Sequence, residues 1–404
     1  MKSLLLTLKE QQKMVAIQEK VLDKDDPFLA SLYSQLSGTY QDMGNFLLAL
    51  EYQQKTIAIR EKVLDNDDPD LAVSYNNLAS IYHCMGNFLL ALEYQQKAIA
   101  IQEKALDKNH PDLAISYNNL SNNYRVMGNM PLALEYQQKA LAIQEIVLHK
   151  NHLDLAGSYS NMALIYKAMD NLPLALKYQK KANAIREKEL CQTHPDLALA
   201  YNNLSGIYQA MNKLHLALDY QQKAVAIQKK ALDKNHPNLA ILYNNLSGIY
   251  RMMDKLSLSL TYQQKAVAIN EKMLGKNHPD LAISYNNLSG IYQIMKNLPL
   301  SLKYQQKSIA ITEQLLDKNT PNLAISYHNI AMIYYKMGNL KQAIFYTDKA
   351  VLILQENFPN GHPNLTDVLH FQKYTRFIQL VQVQDIQSIT ADKEMRQWLI
   401  EIMK

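Results

Sequence analysis

Apolar residues recur along the chain at the spacing of an α-helix. In one representative segment they fall at Leu197, Tyr201, Leu204, Tyr208 and Met211, in steps of four, three, four and three residues. Residues at this spacing share one face of a helix, so the segment predicts an amphipathic helix with these five side chains in the core. A proline opens the segment, at the first helical turn, where its missing N–H costs nothing.

A second helix is predicted from about residue 214 to residue 232, with the inward-facing side chains Ala217, Tyr220, Ala224 and Ile227. In four corresponding segments a Gly-Asn pair separates the two helices, at residues 44–45, 86–87, 128–129 and 338–339. Glycine and asparagine tolerate the left-handed backbone that ends a helix. The pattern therefore predicts two helices joined by a tight turn, and the small alanines allow these helices to approach closely.

This helix pair repeats every 42 residues, and 24 of the 26 tyrosines fall on three positions of the repeat. The proline that opens the repeat recurs on the same grid, with Leu153 at the one missing position: Pro27, Pro69, Pro111, Pro195, Pro237, Pro279, Pro321 and Pro363. A fixed period between about 20 and 50 residues is typical of a solenoid in which each repeat buries its apolar face on its neighbours. The sequence therefore predicts an all-α solenoid.

The repeat divides the chain into three predicted parts. Residues 27–362 hold eight tandem repeats, whereas residues 1–26 match only the second helix of a repeat. Because the chain starts within a repeat, it is expected to be either a fragment of a longer protein or a chain whose first helix serves as an N-terminal cap. Self-association through the open N-terminal end of the repeat array is also expected to be possible. After residue 363 the pattern decays, so residues 363–404, with the single Trp398, are expected to form degenerate C-terminal capping helices.

The composition excludes several classes of protein. With 48% hydrophobic and 20% charged residues, the chain is expected to fold rather than stay disordered. Two cysteines cannot build a disulfide framework or a four-cysteine zinc site, so a reducing compartment such as the cytoplasm is expected. No apolar run approaches the roughly 20 residues of a membrane span, and a net charge of +5 is too small to indicate nucleic acid.

The segment Leu204-Ser205-Gly206-x-Tyr208, followed by Ala217 and Ala224, resembles the tetratricopeptide repeat. The run Asn-His-Pro-Asp-Leu-Ala-x-x-Tyr-Asn-Asn-Leu, at residues 109–120 and 277–288, is similar to the 42-residue version of kinesin light chains. The resemblance covers about residues 3–362, although the coiled coil of kinesin light chains is missing. It implies a right-handed superhelical solenoid of antiparallel helix pairs, and a protein-interaction scaffold whose first helices line a concave peptide-binding groove.

Asparagines form a ladder on the face of the first helices opposite the core. The eighth residue after the proline is an asparagine in seven repeats, and the residue before it is an asparagine in five: Asn77, Asn119, Asn161, Asn203, Asn245, Asn287 and Asn329, then Asn76, Asn118, Asn202, Asn244 and Asn286. An amide donates and accepts hydrogen bonds, so the ladder predicts a clamp for the backbone of an extended peptide. The alternative is that these asparagines only tie neighbouring helices together.

Specificity is expected at positions that differ between repeats. Near the end of the first helices the groove carries four cations, Arg125, Lys167, Arg251 and Lys336, against a single acid, Asp42. Apolar residues stand among them, at Val126, Leu164, Met252 and Ile294. This mixture favours an acidic peptide segment with one or two bulky anchors, which agrees with the acidic peptides that kinesin light chains bind.

Catalysis and cofactor binding are not expected. The sequence has no phosphate-binding loop, dinucleotide fingerprint or His-Glu-x-x-His motif. Histidines of the Asn-His-Pro turns are interpreted as cap residues rather than metal ligands, and the repeated tyrosines and methionines as core packing. The predicted function is a non-catalytic adaptor that binds a partner's acidic segment. Two alternatives stay open: an architectural spacer of a larger protein, and RNA binding through the same groove.

Overall fold

The computed structural model describes residues 2–231, 236–315, 321–357 and 363–382, and over these ranges it is all-helical. The chain divides into an N-terminal unit, Met1–Gln192, and a C-terminal unit, Thr193–Lys404. Helices of the N-terminal unit are α1 (Lys2–Gln18), α2 (Pro27–Asp42), α3 (Phe46–Val63), α4 (Pro69–Cys84), α5 (Phe88–Ala105), α6 (Pro111–Val126), α7 (Met130–Val147), α8 (Leu153–Ala168) and α9 (Leu172–Glu189). Those of the C-terminal unit are α10 (Pro195–Ala210), α11 (Leu214–Ala231), α12 (Pro237–Met252), α13 (Leu256–Met273), α14 (Pro279–Ile294), α15 (Leu298–Leu315), α16 (Pro321–Lys336), α17 (Leu340–Asn357) and α18 (Pro363–Gln382).

Consecutive helices pack as antiparallel pairs, and each pair contains one 42-residue repeat. In the N-terminal unit α2 packs on α3, α4 on α5, α6 on α7 and α8 on α9, while α1 packs on α2. The C-terminal unit has the same order from α10 to α17, with α18 packed on α17. The second helix of each pair also contacts the first helix of the next pair within its unit. The predicted fold class, an all-α solenoid of helix pairs, is confirmed.

Histidine side chains cap the first helices. In α6 the Nδ1 atom of His110 accepts a hydrogen bond from the backbone N–H of Asp112, at 3.2 Å, and four further first helices of the described chain begin in the same way. Helix α8 lacks the proline but keeps the cap, because His152 accepts from Asp154 N–H at 3.2 Å. A cap satisfies an N–H that has no partner inside the helix. The predicted cap role of these histidines is confirmed; His362 lies outside the described residues.

The turn inside each helix pair requires a residue with left-handed backbone. Glycine supplies it in four repeats, with φ between 73° and 81°, and Asp170, Asn212, Asp254 and Lys296 supply it in the others, with φ between 56° and 59°. In six repeats the next residue is an asparagine that caps the second helix; Asn45 Oδ1, for example, accepts from the N–H of Leu48. Lysines stand at this position before α11 and α13, and Lys255 makes no side-chain cap bond. Lysine gains no local compensation for positive φ, so Lys296 is the strained member of this set.

The two alanines predicted to face inward on the second helix, Ala217 and Ala224, are completely inaccessible. The methionine prediction was wrong. Repeated methionines from Met43 to Met337 sit at the C-terminal caps of the first helices, and six of them are between 38% and 43% exposed. They extend the 4-3 spacing by one step, but the helix ends there and the chain turns away from the core. Met211 follows the same rule and is only half-buried.

Tyrosine hydroxyls tie successive repeats together. The hydroxyl of Tyr33 on α2 donates to Glu19, which follows α1, at 2.8 Å, and burial with this carboxylate raises the pKa of Tyr33 to about 12. Five further junctions repeat the bond at 2.6 to 2.7 Å: Tyr75–Glu61, Tyr117–Glu103, Tyr159–Glu145, Tyr285–Glu271 and Tyr327–Glu313. At the junction of α11 and α12 a lysine replaces the acid, and Lys229 lies over the ring of Tyr243 at 5.7 Å.

Candidate peptide-binding groove

The groove face is the predicted peptide-binding surface of the first helices. It carries the residues 4, 7, 8, 11, 14 and 15 positions after the proline that opens each repeat, or after Leu153 in α8. Neighbouring first helices contact one another on this side within each unit, as α4 contacts α6 and α12 contacts α14. Side chains of adjacent repeats therefore meet along the groove face.

Four of the five asparagines seven positions after the proline hydrogen-bond to a buried glutamine of their own second helix. Gln137 Nε2 donates to Asn118 Oδ1 at 3.0 Å, and Gln221 Nε2 donates to Asn202 Oδ1 at 3.1 Å. The pairs Gln263–Asn244 and Gln95–Asn76 repeat this contact. The glutamines are at most 1% exposed. This row of asparagines therefore joins the two helices of a repeat.

Asparagines eight positions after the proline fall into two classes. The tied asparagines each donate to an asparagine of the preceding repeat: Asn161 to Asn118 at 2.9 Å, Asn245 to Asn202 at 2.8 Å, and Asn329 to Asn286 at 3.2 Å. The open asparagines form no hydrogen bond to any other described residue and are half-buried: Asn77, Asn119, Asn203 and Asn287. Tied amides hold repeats together, whereas open amides have donors and acceptors that no described residue uses.

Two of the predicted cations are half-buried in the N-terminal unit. Burial lowers the pKa of the Arg125 guanidinium on α6 and of the Lys167 ammonium on α8. Arg125 donates to Asn122 Oδ1 at 2.6 Å, and neither cation is in an ion pair within the described residues. In the C-terminal unit Arg251 and Lys336 are exposed and likewise form no ion pair with described residues. The structure thus brings Arg125 and Lys167 onto successive first helices.

A polar cluster lies between α4 and α6. His83 Nδ1 lies 2.6 Å from Asn123 Oδ1, and its Nε2 lies 3.1 Å from Asn122 Nδ2. These three residues line a cavity of about 140 Å³ together with Ser80 and the open Asn119. Since Arg125 occupies the oxygen of Asn122, the cluster also orients the guanidinium. Sequence reasoning missed Asn123, which is 2% exposed; the signal was a polar residue at a position that is isoleucine in six other repeats.

Lysines of the second helices pack on tyrosine rings outside the groove. Lys97 Nζ lies 4.7 Å from the centroid of Tyr94 and 2.7 Å from Glu93, and the repeats around it are similar.

Among the described residues no group of three potential ligands could hold a metal ion. No helix in the described ranges is long and apolar enough to cross a bilayer.

The family model of the tetratricopeptide repeat matches the chain in seven overlapping segments between residues 28 and 356. The chain therefore belongs to the tetratricopeptide repeat family, as the sequence predicted, and repeats of this family form scaffolds for protein interactions. No curated protein is significantly similar to it in sequence.

Solved structures share these repeats. A candidate kinesin light chain from Podosopora anserina with nearly identical TPR-like repeats is 28% identical, with a TM-score of 0.45, over 51% of this chain and 97% of that one. A signal transduction ATPase with a tetratricopeptide repeat sensor, from Pyrococcus horikoshii, is 16% identical, with a TM-score of 0.61, over 93% of this chain and 53% of that one. Aspartyl phosphate phosphatase F from Bacillus subtilis is 16% identical, with a TM-score of 0.55, over 86% and 90% of the two chains. The last two similarities concern the fold alone.

Proposed function

We propose that this protein is a non-catalytic, cytoplasmic adaptor that binds an extended acidic segment of a partner protein on the groove face of its N-terminal unit. One observation carries the proposal: Arg125 and Lys167 are half-buried on successive first helices, without an acidic partner among the described residues. The open asparagines Asn77 and Asn119 lie on the same face and would hold the backbone of the segment.

The physical reason lies in the hydration of the two cations. Burial removes water from Arg125 and Lys167, and the lowered pKa of each group records that cost. A carboxylate of a partner would replace the lost water with a charge-assisted hydrogen bond, which contributes about 1.5–3 kcal/mol. A neutral segment would leave the cost uncompensated. The groove therefore favours acidic over neutral ligands.

The architectural alternative has its own support, because Asn161, Asn245 and Asn329 tie repeats together. If every asparagine served in this way, the chain would be a spacer. The four open asparagines favour the adaptor instead. RNA binding would use the groove cations, since the second-helix lysines of the N-terminal unit pack on tyrosines.

Affinity capture from the native lysate tests the proposal. Wild type is compared with Arg125→Gln/Lys167→Gln, with Asn77→Ala/Asn119→Ala, and with Lys55→Gln/Lys97→Gln, a control that removes the same charge from outside the groove. We expect both groove variants to lose a shared set of proteins, identified by mass spectrometry, that the control retains. Identical protein sets for all four chains would refute the adaptor. Loss of binding on nuclease treatment, with a steep dependence on salt, would indicate RNA.

A further inference from the structure

A second cavity opens on the groove face of the C-terminal unit, between the first helices α10 and α12. Its volume is about 180 Å³, far above the order of 10–15 Å³ that one water needs. Six of the residues that line it are Asp196, Leu199, Asn202, Gln228, Asn238 and Ile241. Leu199 and Ile241 are 54% and 46% exposed, so the walls of the cavity are aliphatic and accessible.

The floor of the cavity contains a buried donor without an acceptor. Gln228, near the end of α11, is 3% exposed, and its Nε2 makes no hydrogen bond with any described residue. At the corresponding position of the next repeat Asn270 donates to Ser284 Oγ at 3.0 Å. Leu242 occupies the place of that serine in α12. The substitution removes the acceptor, so Gln228 lines the cavity with a donor that has no partner among the described residues.

The other polar groups of the cavity complement an amide. Asn202 Oδ1 already accepts from Gln221 and Asn245, so Asn202 contributes its unused N–H donors. Acceptors come from the carboxylate of Asp196 and the side chain of Asn238. None of the residues that line this cavity carries a positive charge, and Asp196 would repel a carboxylate. The donors fit a carbonyl oxygen, the acceptors fit an NH₂ group, and the aliphatic walls fit a methylene stem.

We infer that this cavity binds a glutamine side chain of the partner segment. The inference rests on the proposed peptide-binding role of the groove and adds a specificity pocket to it. The carbonyl oxygen of the bound glutamine accepts from Gln228 Nε2, its NH₂ group donates to Asp196 or Asn238, and its stem packs between Leu199 and Ile241.

The test uses N-acetyl-L-glutamine N-methylamide as the probe, with the glutamate and leucine analogues for comparison at pH 7. Each is titrated into the ¹⁵N-labelled full chain, and the side-chain NH₂ resonances of Gln228 and of Asn202, which remains in every variant, are followed by NMR. Gln228→Leu removes the donor, and Leu242→Ser supplies the missing acceptor within the protein. Gln144→Leu is the matched control, because Gln144 has the corresponding position in α7 and does not line the cavity.

We expect the glutamine analogue to shift the Gln228 resonances and to bind at least tenfold more tightly than the glutamate and leucine analogues. Gln228→Leu and Leu242→Ser should each weaken it at least tenfold, and Gln144→Leu should not. Equal binding of the three analogues, or unchanged binding by whichever cavity variant stays folded, would refute the glutamine pocket. The probe is uncharged and the cavity lies in the C-terminal unit, so this failure would leave the proposed binding of an acidic segment to the N-terminal unit unaffected.

Discussion

Replacing Asn118 by alanine separates the structural role of the asparagine ladder from its proposed ligand-binding role. Asn118 Oδ1 accepts hydrogen bonds from Gln137 on its own second helix and from Asn161 on the next first helix. Its neighbour Asn119 lies on the same helix and makes no hydrogen bond with described residues. Asn119→Ala is therefore a control that differs by one position in the sequence.

The expected loss of stability depends on which hydrogen-bonding groups each variant leaves unpaired. Gln137 is completely buried, and its Oε1 already lacks a partner, so Asn118→Ala leaves the amide without its bond to Asn118. A buried donor left without a partner costs about 1–3 kcal/mol. Asn161 is half-buried and can bind water instead, so it adds little. Asn119→Ala leaves no donor unpaired, and the higher helix propensity of alanine makes it neutral or stabilising by up to about 0.5 kcal/mol.

Hydrogen–deuterium exchange of the two variants measures the difference. Solenoids unfold in parts, so local protection is a better measure than a single melting temperature. We expect Asn118→Ala to lower the protection of α6, α7 and α8 by at least fivefold, about 1 kcal/mol, and Asn119→Ala to leave it unchanged. Equal losses in both variants would refute the division into tied and open amides.

Lys296→Gly removes left-handed strain at φ 59° and should stabilise the C-terminal unit by about 1 kcal/mol in urea titrations, and no gain would show that the lysine is unstrained. Burial lowers the pKa of His328, and Asp367 partly offsets this effect. The unfolded state therefore binds the proton more tightly, and α18, which contacts His328 through Phe371, should lose exchange protection as pH falls below 6.5. His328→Asn should abolish this pH dependence. The pKa of Tyr33 is raised to about 12, so its contribution to the free energy of unfolding should fall as pH rises from 10 through 12. Glu19→Gln should lower the pKa of Tyr33 in an ultraviolet titration. Removal of residues 363–404 should expose an apolar face and cause aggregation, and a monodisperse truncated chain would contradict the capping role.

The helices were predictable because the residues that begin and end each helix lie within a single repeat. A proline begins each first helix except α8, and glycine, asparagine, aspartate or lysine with positive φ ends it, so a single repeat contains all the information needed. The burial of side chains was less predictable at the ends of the helices. Met211 continues the apolar spacing of its helix but lies beyond the last turn, where spacing no longer determines direction.

The candidate site was predictable only as a set of residue types. Asn119 and Asn161 occupy the same position in their repeats and look identical in sequence. Their hydrogen bonds differ because Asn76 donates to Ser116 and is not bonded to Asn119, whereas Asn118 accepts from Asn161. The choice between these arrangements depends on side chains of three helices at once. A periodic pattern does not contain that information.

The junction between α11 and α12 has a consequence for how the chain unfolds. It lacks the tyrosine–glutamate bond, since Lys229 faces Tyr243, and it lacks the serine that would pair with Gln228. In a linear array each repeat is stabilised by its two interfaces, so cooperativity is lost first at the weakest interface. Repeats on either side of this junction should therefore unfold in separate transitions. Applied force or denaturant should separate the repeats of the C-terminal unit first between α11 and α12.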